Sequence, residues 1–204
     1  MTSKGQLFII SAPSGAGKTS LVKALLNSLT LLEVSVSYTT RKQRFSEQAG
    51  QDYNFITTTE FESMVRDGGF LEHAEVFGNY YGTSTALVEN KLNNGVDVIL
   101  EIDWQGAQQV RRAMQNCCSI FILPPSKQVL EERLRGRGQD SEDVIAQRMQ
   151  AAVDEMSHYV EYDFVVINDD FDTALQQLNC LIKSQRLATN RINDKQKLIK
   201  ELLN

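Results

Sequence analysis

The sequence predicts an α/β protein whose core is a parallel sheet with helices on its faces. Three observations carry this expectation. Apolar runs at Leu7–Ile10, Val96–Asp103, Ser119–Leu123 and Phe164–Ile167 alternate with helical patterns, the order that places parallel strands in one sheet. The first run opens into the small-residue segment Ser11–Ser20 and then into a helical stretch, Leu21–Leu26. Residues 37 to about 90 break the alternation with short polar strands, which marks them as an inserted lobe between core segments 1–36 and 91–204. A chain of 204 residues suits one domain with embellishments and is long enough for a sizeable core.

Taken in order, the first element is the informative one. Leu7-Phe8-Ile9-Ile10 is apolar throughout, as a strand buried on both faces must be. Ala12, Pro13, Ser14, Gly15, Ala16, Gly17, Lys18, Thr19 and Ser20 follow it and lead into a helix. Strand, glycine loop and a helix opening at Lys-Thr is the arrangement of a phosphate-binding loop. Gly15 and Gly17 let backbone N–H groups turn toward an anion, and the helix start adds donors and positive dipole. Lys18 then reaches the terminal phosphates and the Thr19 hydroxyl is suited to Mg²⁺. The usual pattern opens on glycine where this chain has Ala12, so only the Gly-Lys-Thr end and the strand-helix context are strict matches.

Glu33–Ser37 alternates like a second strand, Tyr38–Glu47 reads as a polar, basic loop, and Tyr53–Ile56 as a short strand. Thr59 and Glu62 have capping-box spacing before a short helix that Gly68-Gly69 ends. Phe70–Val76 is extended, Phe77–Thr83 reads as a turn rich in aromatics, and a helix runs from Thr85 to about Asn93. After the strand ending at Asp103 come a helix over Trp104–Met114, the strand Ser119–Leu123, and helices over Lys127–Arg135 and about Ser141–Met156, separated by the basic glycine hinge Arg135-Gly136-Arg137-Gly138. Phe164–Ile167 is the last strand, and Asp169-Asp170 caps a final long helix.

Composition excludes several classes. A net charge of −5 argues against nucleic acid as the main partner. No stretch is long and apolar enough for a membrane span or a signal sequence, so a cytoplasmic protein is expected. Cys117, Cys118 and Cys180 lack metal-ligand spacing and read as buried free thiols, and His73 and His158 are isolated. Asp103, at the end of an apolar strand, either supports Mg²⁺ through water opposite Thr19 or simply caps the next helix. Arg41 and Arg44, and further on Arg137 and Arg148, are solvated charges singly; beside a phosphate loop they suggest clamps on two phosphate bearers, a donor and an acceptor.

Several segments then stand in a telling order: Ser35–Arg41, Gly50–Tyr53, Phe70–Ala74, Gly78–Thr83, Ile102–Gly106 and Ile167–Asp170. Together with the Ala12, Ser14 and Thr19 form of the phosphate loop, this order resembles bacterial guanylate kinases, of the P-loop nucleoside monophosphate kinase class, from about Gly5 to Arg186. The resemblance implies a P-loop core, a GMP-binding lobe at 37–90, a helical lid at about 127–157, and phosphoryl transfer from ATP to GMP (and dGMP) in purine nucleotide metabolism. It implies catalytic roles for Lys18, Arg41, Arg137 and Arg148. ATP would be held by residues 12–20 with Arg137 and Asn168. GMP would be held by Ser37, Arg41, Arg44, Glu47, Tyr53, Glu72, Tyr81, Thr83, Glu101 and Asp103, and Mg²⁺ by Thr19 and, through water, Asp103. Glu101 stands where many relatives carry Asp. The chemistry agrees at Glu72, because guanine presents two adjacent donors to a carboxylate's two oxygens and adenine does not. Read alone, Tyr53 and Tyr81 are equally suited to a core and Glu72 to a solvated strand. A non-catalytic protein-binding module and a kinase for another nucleoside monophosphate are the rival readings. The final helix, from Asp172 onward, could support a homo-oligomer or pack on its own core.

Overall fold

The computed structural model describes residues 4–76, 78–136, 141–191 and 196–203. Five strands form a wholly parallel sheet: β1 (Leu7–Ser11), β2 (Leu32–Val34), β7 (Asp97–Glu101), β8 (Cys118–Leu123) and β9 (Phe164–Ile167), in the order β2-β7-β1-β8-β9. A second sheet, of order β4-β3-β6-β5, is built from β3 (Tyr38–Thr39), β4 (Asn54–Phe55), β5 (Phe70–Val76) and β6 (Asn79–Ser84). The helices are α1 (Lys18–Ser28), α2 (Thr58–Arg66), α3 (Thr85–Asn93), α4 (Trp104–Ala113), α5 (Lys127–Arg135), α6 (Glu142–Ser157), α7 (Phe171–Arg186) and α8 (Gln196–Leu203). No helix among the described residues is long and apolar enough to cross a membrane.

Alternation along β1 divides the core. Phe8 and Ile10 face one way, onto Leu21, Val22 and Leu25 of α1 and Ala174, Leu178 and Ile182 of α7. Leu7 and Ile9 face the other way, onto Val88 and Leu92 of α3 and Ala107 and Val110 of α4. A strand with helices on both sides has no polar face, which is why the run is apolar without interruption. A third, small cluster joins α5 to α6 through Leu130, Leu134 and Ala152. All five parallel strands point their carboxyl ends the same way, and β1 lies where the strand order reverses, the place where such sheets bind ligands.

Five sequence expectations are corrected. The second strand stops at Val34, not Ser37, because the chain leaves the parallel sheet there; Asn54 N–H then bonds to the Ser37 carbonyl in the second sheet. Tyr38-Thr39, read as loop, is the strand that joins β4 to β6. The capping box is Thr57 with Glu60, and Thr59 lies within α2. Residues 79–84, read as turn, pair antiparallel with β5 across a glycine at φ +73°, Gly78. Cys118 is buried, but Cys180 is exposed on α7, so that thiol is not part of the core.

At the opposite end of the sheet, Asp97 is 2% exposed and accepts from the Gln6 N–H at 2.7 Å, Arg186 Nε at 2.7 Å and an Arg191 guanidinium nitrogen at 2.9 Å. It fastens the end of α7 and the segment after it beneath β7. Removing one member of such a set leaves buried charge uncompensated, at about 3 kcal/mol. The urea midpoint of Asp97→Ala should fall accordingly, with Asp97→Asn losing less.

Candidate active site

The loop after β1 turns through two left-handed glycines, Gly15 at φ +93° and Gly17 at φ +94°. Both also lack room for a side chain. A Cβ on Gly17 would sit 2.4 Å from Asn168 Nδ2, and one on Gly15 3.0 Å from a Leu130 methyl. Ala12 needs no such freedom: Leu31 is the one non-glycine residue with positive φ among the described residues. Its methyl packs against the core, which accounts for alanine at the usual glycine position. Gly17 caps α1 without a side-chain acceptor, and the first turn carries no acid, so its N–H groups face the loop.

A cavity of about 320 Å³ is walled by Ala12, Pro13, Ser14, Gly15, Gly17, Lys18, Thr19 and Ser20, with Glu155 from α6. Burial pushes the Lys18 pKa down, while Glu101, Asp103 and Glu155 favour its charged form. Burial raises the Glu155 pKa, and the neighbouring Ser14 main chain and the Lys18 charge oppose that rise. Asn168, 4% exposed, donates its amide to the Ala16 carbonyl at 2.7 Å, so the residue after β9 holds the loop from below.

A second cavity, of about 540 Å³, shares Lys18 and Thr19 with the first. Its other walls include Ser35, Ser37, Asp52, Tyr53 and Thr83 from the second sheet and its approaches, and Glu101 from the end of β7. Arg41, Glu47, Tyr53 and Tyr81 form one cluster. Arg41 bonds Glu47 Oε1 at 2.6 Å and lies 5.5 Å from the Tyr53 ring centroid, and the two tyrosine rings meet edge to face at 5.9 Å. The Glu47 bond raises the Arg41 pKa and depresses that of Glu47. The Arg44 main-chain N–H also donates to Glu47, at 2.8 Å, which makes Glu47 the brace of this turn; the Arg44 side chain is exposed. Glu72 is 7% exposed, opposite Thr83 across the β5–β6 ladder, and accepts the Thr83 hydroxyl at 2.5 Å. Its other oxygen lies beside Gly106 of α4, whose N–H is capped by Asp103 at 2.8 Å. Asp103 therefore caps the helix, one of its two readings, and it is exposed enough to face a hydrated ion as well. Arg148 lies half-buried on α6, and Arg137 is outside the described residues.

The profile of the guanylate kinase family matches residues 4–185. The chain belongs to the guanylate kinase family. It is 60% identical over 188 residues to the guanylate kinase of Methylococcus capsulatus, covering 92% of each chain. It is 59% identical over 190 residues to that of Escherichia coli K12, again covering 92% of each. The crystal structure of guanylate kinase from Anaplasma phagocytophilum superposes with a TM-score of 0.74 at 33% identity, covering 93% of this chain and 90% of that one. Within this guanylate kinase fold, Glu155 is the cavity residue that no sequence motif singled out. It sits in an ordinary amphipathic helix, and its only signal is where packing of α6 puts it.

Burial of Glu72 carries a sign that can be tested. A carboxyl whose folded pKa is raised binds its proton more tightly folded than unfolded. Its contribution to stability is therefore present at acid pH and lost as pH rises from the ordinary value of 4.5 through the raised one. Glu72→Gln, which has no charge to bury, should unfold at higher urea than wild type at pH 7, and the gap should close toward pH 4.5.

Proposed function

We propose that the chain transfers the γ-phosphoryl group of ATP to GMP, giving ADP and GDP. The observation that carries this reading is the shared wall: Lys18 and Thr19 line both cavities, so a group passed between their occupants passes beside them. One cavity is lined by main-chain N–H groups at a helix start, which suits the ATP phosphates. The other is lined by polar side chains, which suits a nucleoside monophosphate. A phosphate oxygen of GMP attacks the γ-phosphorus as its bond to the ADP oxygen breaks. This chemistry needs alignment and charge neutralisation more than a covalent intermediate.

Each residue then has a role. Residues 12–20 hold the ATP phosphates, with Lys18 on the transferred group. Arg41, Arg44, Tyr53 and Tyr81 grip the GMP phosphate, and Glu47 holds Arg41 in its pose. Glu72 and Thr83, with Ser37, Glu101 and Asp103, read the guanine. Phenol hydroxyls add donors without adding charge. Residues 127–157, which include α5, α6 and the two arginines 137 and 148, serve as the lid, whose closure excludes water that would otherwise hydrolyse ATP. Asn168 supports the loop beside the adenine end. The hydroxyl of Thr19 and the exposed carboxylate of Asp103 are hard oxygen donors of the kind Mg²⁺ takes. Those two would hold the ion, which supplies charge neutralisation to the phosphates when bound. The working environment is the cytoplasm, and dGMP is a second acceptor.

The test is ADP release with GMP, dGMP, AMP, CMP, UMP and dTMP as acceptors. Turnover should be confined to GMP and dGMP. Lys18→Ala should stay folded and lose a factor of about 10² or more in kcat. Glu72→Gln presents a donor amide to guanine's own donors. It should lower kcat/KM for GMP by far more than tenfold while ATP affinity holds; a change within about threefold moves the base-reading role elsewhere.

A further inference from the structure

Glu72 follows an irregularity in its own strand. The register of β5 against β6 shifts between Phe70 and Glu72, with Leu71 as the extra residue opposite the step from Ser84 to Thr83. A bulge bends a strand and disrupts the ladder where it falls, so β6 alone does not fix how Glu72 is presented. β5 is also an end strand, in the order β4-β3-β6-β5. On its outer side the His73 N–H donates to Gln109 Oε1 at 3.1 Å, and Gln109 Nε2 donates to the His73 carbonyl at 3.1 Å. A primary amide carries an acceptor and a donor side by side. This pair of bonds from α4 does for β5 what one rung of a neighbouring strand would. We propose that Gln109 is a positioning residue for guanine recognition: its amide clamps the main chain beside Glu72, which sets both carboxylate oxygens for the base's two adjacent donors. The proposal rests on the reading of Glu72 given above.

The packing around Glu72 supports such a clamp. The His73 N–H belongs to the peptide group that follows Glu72, so the bond to Gln109 holds the plane next to the Glu72 Cα. Asp103, Gly106 and Gln109 recur at every third residue of the α4 segment, a spacing that places them on one face. Gly106 leaves the carboxylate its space, because a Cβ there would stand 3.2 Å from Glu72 Oε2. Asp103 takes the Gly106 N–H at 2.8 Å, which reserves that donor for the helix cap. On the other side of Glu72, Leu71 is 6% exposed and lies in the apolar cluster that holds Ala107 and Val110 of α4. Residues 71 and 73 are therefore both joined to α4, and through it to the parallel-sheet core. The base reader is mounted on the core, although its strand belongs to the second sheet.

A carboxylate that swings can follow one donor, but two adjacent donors need both oxygens held in place. Inosine monophosphate, IMP, keeps the N1–H of guanine and lacks the 2-amino group, so it separates the two cases. The experiment measures kcat/KM for GMP and IMP at saturating ATP on wild type, Gln109→Met, Gln109→Ala, Glu72→Gln and the Glu72→Gln/Gln109→Met double variant. Gln109→Met keeps the length of the side chain and removes both bonds. Both Gln109 variants should lose about tenfold in kcat/KM for GMP, through KM, and the GMP-to-IMP ratio should fall by a similar factor. KM for ATP should be unchanged. In the Glu72→Gln background Gln109→Met should cost less than about twofold, because it acts through Glu72. Hydrogen exchange on the wild type needs no variant: the His73 amide should exchange about 10²-fold more slowly than in an open chain, although its side chain is exposed. An unchanged GMP-to-IMP ratio in a folded Gln109 variant, an equal loss in the Glu72→Gln background, or an unprotected His73 amide overturns this proposal alone. Glu72→Gln within about threefold of wild type for GMP overturns the base-reading role, and this proposal with it.

Discussion

A backbone segment that turns its N–H groups toward a cavity gives up the partners those groups would find in a helix or a sheet, and something else must hold it in place. Residues 12–17 are held from three sides. β1 delivers them from the centre of the sheet, α1 carries them away, and the Asn168 amide grips the Ala16 carbonyl from the far edge strand. Gly17 is the pivot of this arrangement: its φ is left-handed and Asn168 occupies the space a side chain would need. The loop is therefore shaped before any nucleotide arrives, and a pre-shaped set of donors loses no ordering free energy at the moment of binding.

Around this loop, charge is arranged by depth. Lys18 is enclosed, and the fall in its pKa that burial causes is opposed by Glu101, Asp103 and Glu155. Arg41 sits nearer the surface, oriented by Glu47 and by the Tyr53 ring. Glu72 lies behind Thr83, a wall of the second cavity, where it accepts the Thr83 hydroxyl and is otherwise held against its own desolvation. A buried acid with one bonded oxygen is a weak point for stability.

Much of the fold was legible because its signals are local. The apolar runs of β1, β7, β8 and β9, the helix boundaries at Thr85 and Asp170, and the loop from Ala12 to Ser20 each follow from neighbouring residues. Most of what the local pattern missed lies in or beside the second sheet. Two-residue strands such as β3 and β4 carry no periodicity of their own, and only pairing with β6 makes Tyr38-Thr39 a strand. The same limit applied to the capping box, where Thr57 and Thr59 have equivalent spacing to an acid and the direction of chain entry selects the first.

The site divides along the same line. Sequence alone determined the phosphate loop, because strand, glycine turn and lysine are contiguous and their spacing has a direct physical meaning. It also determined the family, because six ordered segments spread over most of the chain leave few alternatives. Only the tertiary structure decided that Lys18 and Thr19 stand between two cavities, that Glu47 braces Arg41, that Asn168 lies under the loop, and that Glu155 reaches into it. Those are contacts between residues up to 152 positions apart, and their geometry is set by how helices pack on a sheet, which no local pattern encodes.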